Sequence, residues 1–278
     1  MVITPRFFPQ LPRSPLAKIV VEPPVGTNLT DGVSTVNFGA GMLGTGTNLT
    51  VTVRNTGTAN LTGLGVTIDG ANAGDFSVIA SPAAPVVPGG STTFTVRFTP
   101  GAGGTRNAAL HLASNDVDES PFDLALTGTG LTRLEAWRQQ YFGTIANTGN
   151  AADFADSNKN GIVNFLEYAL GGDPAGGTTG VSILPQPGIS ATNRLQITLT
   201  RSLDRNDITL TAQAADAPGG PWSNLARSIN GGPFTLLNAG AAVSETGSGN
   251  TRTVTLSDVY PVNDPAHPFR FMRLEVTQ

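Results

Sequence analysis

The stretch Thr93-Phe-Thr-Val-Arg-Phe98 alternates apolar and polar residues without a break, and Leu49-Thr-Val-Thr-Val-Arg54 repeats the pattern. Side chains on an extended chain point to opposite faces in turn, so Phe94, Val96 and Phe98 share one face and Thr93, Thr95 and Arg97 the other. Leu110 and Leu112, and Phe122, Leu124 and Leu126, repeat the arrangement. The same alternation places strands at 19–21, 33–38, 48–54, 61–69, 76–79, 92–98, 107–113 and 122–127. Turn formers separate them, among them Asn55-Thr-Gly57, Pro88-Gly-Gly90 and Asn115-Asp116. Strands with one apolar and one polar face predict a sandwich of about seven strands, with Phe38, Phe94, Phe98 and Phe122 in its core.

The composition agrees. Charged residues make up 13% of the 278, and there are 34 Gly and 20 Pro, which suits a chain of turns and strands. The length allows two domains. A net charge of -4 with scattered Lys and Arg offers no basic surface for nucleic acid. The absence of Cys excludes disulfides, thiolate nucleophiles and Cys-based metal sites. No apolar run approaches the roughly 18 residues of a membrane span. Residues 1–17 read as an extended, Pro-stiffened tail without a signal peptide's apolar segment. An exported protein would carry its signal elsewhere, as expected for a fragment of a longer polypeptide or a truncated reading frame.

Val36-Asn-Phe-Gly39, Val51-Thr-Val-Arg-Asn-Thr-Gly57, Gly70-Ala-Asn-Ala-Gly-Asp-Phe76, Pro88-Gly-Gly-Ser-Thr-Thr-Phe94, Val96-Arg-Phe-Thr-Pro100 and Leu126-Thr-Gly-Thr-Gly130 follow in order. Together they resemble the choice-of-anchor D repeat and the wider group of immunoglobulin-like domains related to those of spindle and ciliary proteins. The resemblance covers residues 18–130. It implies an immunoglobulin-like fold and a stalk or adhesion module of a large bacterial protein, in an extracellular or cell-surface setting.

Beyond Gly130 the period changes. Leu131, Leu134, Trp137, Arg138, Tyr141 and Phe142 recur at helical spacing, and Thr132 with Glu135 predicts a capping box. A second helix is expected from Asn164 to Leu170, ended by Gly171-Gly172. The segment 131–178 is thus expected as a helical connector closed by a Gly/Thr linker at 174–180. Residues 179–278 are expected as a second β-sandwich or barrel-like domain, with strands at 195–201, 208–214, 234–237, 252–257 and 269–276. This module resembles those that follow such connectors in proteins of Verrucomicrobia-like bacteria. The fold class is therefore mainly β, two sandwiches joined by a short helical connector.

The connector carries the one stretch with a chemical pattern, Asp156-Ser-Asn-Lys-Asn-Gly161-Ile-Val-Asn-Phe-Leu-Glu167. It matches the calcium-loop spacing at every position. Asp156, Asn158, Asn160, the Ile162 carbonyl, Asn164 directly or through water, and both oxygens of Glu167 would supply the six to eight oxygens a hard cation takes. Gly161 permits the sharp turn. The loop resembles single-helix calcium loops of dockerin-like or thrombospondin type 3-like segments. With only two charged ligands and Lys159 inside it, a structural calcium would bind no tighter than about 10⁻⁴ to 10⁻³ M. The alternative is an Asx-rich turn that merely caps the helix.

Catalytic patterns are sparse. The two His residues, His111 on a strand's polar face and His267 in a Pro-rich loop, lie far apart in sequence from each other. Asp116, Asp118 and Glu119 read as an acidic turn, with a glycosidase-like pair as the alternative. The expected function is a non-catalytic structural or adhesive segment, with calcium stiffening the joint and other domains, surface glycans or proteins as partners. The alternatives are a carbohydrate-binding accessory module using Trp222 and Tyr260 as platforms, or a hydrolase with an unfamiliar site.

Overall fold

The computed structural model describes residues 16–23, 27–176 and 183–278. Most of the expected tail at 1–17 and the end of the expected linker at 174–180 lie outside them. The chain forms two compact units, Met1–Leu131 and Thr132–Gln278.

The first unit has eight strands where about seven are expected: β1 (Ile19–Glu22), β2 (Thr35–Met42), β3 (Thr47–Asn55), β4 (Gly65–Asp69), β5 (Phe76–Ala80), β6 (Ser91–Phe98), β7 (Gly104–Ala113) and β8 (Phe122–Leu131). They form two four-stranded sheets, in the orders β1-β3-β6-β5 and β2-β8-β7-β4. Every pairing is antiparallel except β2 with β8. Val51 lies opposite Phe94 and Leu49 opposite Val96, so the alternating faces meet in register. Phe94, Val96, Phe98, Leu110, Leu112, Phe122, Leu124 and Leu126 fill one core between the sheets, and Phe76 stacks on Phe98 with centroids 4.9 Å apart. Each such side chain contributes roughly 1.5–3 kcal/mol on burial. The expected strand at 61–69 keeps only its second half, Leu61 surviving as an isolated bridge to Val86. Asn55 is fully buried at the end of β3; its amide donates to the Ala59 and Val86 carbonyls, both at 2.8 Å, and its oxygen accepts the Gly57 N–H at 3.0 Å.

The second unit opens with α1 (Arg133–Phe142) and α2 (Asn164–Leu170), followed by β9 (Gln186–Ile189), β10 (Arg194–Ser202), β11 (Thr209–Ala215), β12 (Ser223–Ile229), β13 (Thr235–Leu236), β14 (Ala242–Thr246), β15 (Thr251–Pro261) and β16 (Phe271–Thr277). Two antiparallel sheets result, β14-β15-β10-β9 and β13-β12-β11-β16. Three of these strands, β9, β12 and β14, are not among those expected. The helices share one apolar core with the sheets: Leu134, Trp137, Tyr168 and Leu170 pack in the same cluster as Leu199, Leu210, Leu225 and Val254. Leu131, expected with the first helix, instead ends β8, and the apolar face of α1 is part of this unit's interior.

Candidate metal centre

The loop between the helices is wound around its own side chains. Asp156 accepts the N–H of Asn160 at 3.1 Å and of Gly161 at 2.8 Å. Asn158 Oδ1 accepts the Asn160 N–H at 3.1 Å, and Asn160 Oδ1 that of Ile162 at 2.8 Å. Lys159 and Gly161 take left-handed backbone, with φ of 60° and 86°; at Gly161 no Cβ opposes it. Val163 precedes the first turn of α2 and Gly171 ends the helix in left-handed conformation.

The winding brings Asp156, Asn158, Asn160 and Glu167 into one hydrogen-bonded group. Glu167 is 1% exposed. Its Oε1 accepts the side-chain amides of Asn158 at 3.0 Å and Asn160 at 2.9 Å, while Oε2 has no partner. Among the described residues no Lys, Arg or His forms an ion pair with it. The Ile162 carbonyl likewise accepts no hydrogen bond among them. The Asn164 amide donates to the carbonyls of Asn150 and Ala152, at 2.7 and 2.8 Å, and its buried Oδ1 is unpartnered. Asp173, which the loop spacing does not nominate, joins the group through its carbonyl, which accepts the Asn158 amide at 3.0 Å. Its only sequence signal is the stop Asp173-Pro174 after the helix.

A buried carboxylate without a cationic partner costs several kcal/mol. Of the five buried side-chain polar atoms without a partner among the described residues, four lie in the helical segment: Trp137 Nε1, Arg138 Nε, Asn164 Oδ1 and Glu167 Oε2. The donor set is all oxygen and carries two carboxylates; no group of three His, Cys, Asp or Glu suited to a metal occurs among the described residues. That chemistry fits a hard divalent cation such as calcium and does not fit a softer metal. Asp156, Asn158, Asn160, the Ile162 carbonyl and Glu167 would hold it, with Asn164 joining directly or through water.

The frame around the loop is anchored on both sides. Arg138 of α1 pairs with Asp153, whose other oxygen accepts the Asn147 amide at 2.8 Å. Asp207 accepts the Tyr168 hydroxyl and, at 3.2 Å, the Leu134 N–H in the first turn of α1. Burial, with the Asp207 bond second, pushes the Tyr168 hydroxyl far above its usual range. The Arg205 guanidinium lies 4.2 Å from the Tyr168 ring centre and donates to the Tyr168 carbonyl at 2.8 Å.

The other candidates are engaged with neighbours. His111 lies between Asp123, at 2.7 Å, and Asp69, at 3.3 Å. His267 bonds Asp216 at 3.0 Å and stacks on Tyr260 at 3.7 Å. Neither imidazole has a hydroxyl partner among the described residues, which a serine or threonine nucleophile would need. Lys18 sits 3.2 Å from Asp118 and 3.0 Å from Glu119, so these acids are ion-paired. The Arg273 guanidinium lies 4.3 Å from the centre of Trp222, so both proposed sugar platforms already carry a neighbour on the ring.

A family model described as "ASH: Abnormal spindle-like microcephaly-assoc'd, ASPM-SPD-2-Hydin" matches residues 29–120, within the first unit. That is the wider spindle-related group named from the sequence. The matched solved structures include an ASH / PapD-like domain of human CEP192, with 12% identity over 48% of this chain and 97% of that one and a TM-score of 0.29. A protein of unknown function from Porphyromonas gingivalis W83 matches with 18% identity over 45% of this chain and 68% of that one, TM-score 0.30. The secreted serine protease VesC from Vibrio cholerae matches with 12% identity over 87% of this chain and 48% of that one, TM-score 0.29. Likenesses at these scores carry no functional weight. No curated protein matches the chain. Residues 29–120 are thus similar to an ASH domain.

Proposed function

We propose that the protein is a non-catalytic structural segment of a larger bacterial surface or secreted protein, in which loop 156–167 holds a calcium ion that stiffens the helical segment. The observation that carries the calcium part is Glu167, a buried carboxylate with one oxygen unpartnered, placed beside Asp156, Asn158 and Asn160. The ion would supply the positive charge that Glu167 otherwise lacks. The structural part is supported by the ASH match over residues 29–120 and by the engagement of both His residues with carboxylates. The finer identification as a choice-of-anchor D repeat followed by a dockerin-like loop rests on the sequence motifs and belongs to this proposal, as does the extracellular setting.

Calorimetric titration tests it. Calcium should bind once per chain in the range of about 10⁻⁴ to 10⁻³ M, and Glu167→Gln should weaken binding at least roughly tenfold by removing a bidentate charged ligand. Absence of binding heat at millimolar calcium, or equal affinity in the variant, sinks the reading.

A further inference from the structure

Around Glu167 the loop presents hydrogen-bond donors where a bare metal site would present acceptors alone. Asn158 and Asn160 use both ends of their amides. Their oxygens accept backbone N–H groups, at 3.1 and 2.8 Å, and so shape the loop. Their nitrogens hold Oε1 of Glu167, at 3.0 and 2.9 Å, and Asn158 also reaches the Asp173 carbonyl at 3.0 Å. An aspartate at either position could shape the loop equally well. It would, however, set a second anionic oxygen against a carboxylate that is 1% exposed, which is repulsive unless a cation intervenes.

We propose that Asn158 and Asn160 form an amide clamp that holds Glu167, and with it the loop, in the folded shape when no cation is bound. The amides satisfy Oε1 with neutral donors and close the loop onto the turn after α2 through Asp173. Each amide oxygen keeps a second lone pair for a cation, and Glu167 exchanges its two N–H contacts for the ion. The clamp costs affinity, because two ligands carry no charge, and in return the segment does not depend on the ion to stay folded. The inference rests on the calcium reading only for the identity of the ion; the clamp itself operates without one.

The experiment compares the full chain with Asn158→Asp and Asn160→Asp, by tryptophan-fluorescence melting in EDTA and in millimolar calcium, with calorimetric titration of each. In EDTA each variant should melt roughly 3 °C or more below the parent. In calcium the deficit should vanish and affinity should rise at least about tenfold, as added ligand charge predicts. Amide exchange on the unmodified chain in EDTA supplies a measurement independent of any variant: the Gly161 and Ile162 N–H groups, bonded to Asp156 and Asn160 at 2.8 Å each, should be protected. Variants as stable as the parent in EDTA, or open-chain exchange at those two amides, would overturn the clamp. If the parent binds no calcium while the EDTA results hold, the calcium reading fails and the clamp stands as a permanent feature.

Discussion

His111 is the residue whose charge most plainly couples to the fold. The Asp123 hydrogen bond first, and Asp69 beside it, raise its pKa above the ordinary value. The folded state therefore holds the imidazolium more tightly than the unfolded chain does, whose histidine titrates near about 6.5. That stabilisation is complete below about pH 6.5 and is lost as pH rises through the higher folded value. In His111→Gln the melting temperature of the first unit should no longer fall across that window; parallel slopes for parent and variant between about pH 5.5 and 8.5 would refute the assignment. At this scale the sequence is informative about faces and silent about partners. Alternation puts His111 on the polar side of its strand, but only the pairing of β7 with β4 and β8 brings Asp69 and Asp123 to it. The same holds for Glu167. Loop spacing nominates it as a ligand, while its burial, its unpartnered oxygen and the two amides upon it come from the folded chain.

Among the elements, α1 carries both ends of its sequence signal into the structure. The Thr132 hydroxyl accepts the Glu135 N–H at 3.2 Å and Glu135 returns the bond to the Thr132 N–H at 2.8 Å. Thr132→Ala should cost about 1 kcal/mol, read from denaturant unfolding followed by tryptophan fluorescence; an unchanged midpoint would mean that Asp207 alone secures this helix start. The missed strands have identifiable causes. In β12 the register against β11 slips between Ala226 and Asn224, so Leu225 and Ala226 are both buried in succession and alternation disappears. β9 and β14 are edge strands, β9 exposed throughout and β14 no more than half-buried, with too little apolar content to register as a pattern.

For the whole molecule, the aromatic residues provide a convenient division. Both tryptophans, Trp137 and Trp222, and all three tyrosines, Tyr141, Tyr168 and Tyr260, lie in the second unit. Trp137 packs on Tyr141 at 5.2 Å and on Tyr168 at 5.6 Å, close in sequence to the loop. Millimolar calcium should therefore raise the melting temperature seen by tryptophan fluorescence, by roughly 2–4 °C for each 1 kcal/mol of binding energy. The calorimetric transition of the first unit, which is silent in tryptophan fluorescence because that unit holds no Trp, should stay in place. A calcium shift shared equally by both signals would contradict a site confined to the helical segment.

Local signals specify the first sandwich, the start of α1, both ends of α2 and the loop's turn, because alternation, capping and left-handed glycine positions are properties of the chain over a few residues. Which core the helices join was decided only by tertiary structure. An apolar stripe such as Leu134 and Trp137 states that a face will be buried, but not against what; Leu199, Leu210 and Val254 answer that here. The chemical character of the loop was decided in the same way. An asparagine in sequence offers an oxygen and a nitrogen alike, and folding alone turned the nitrogens of Asn158 and Asn160 onto a carboxylate removed from water.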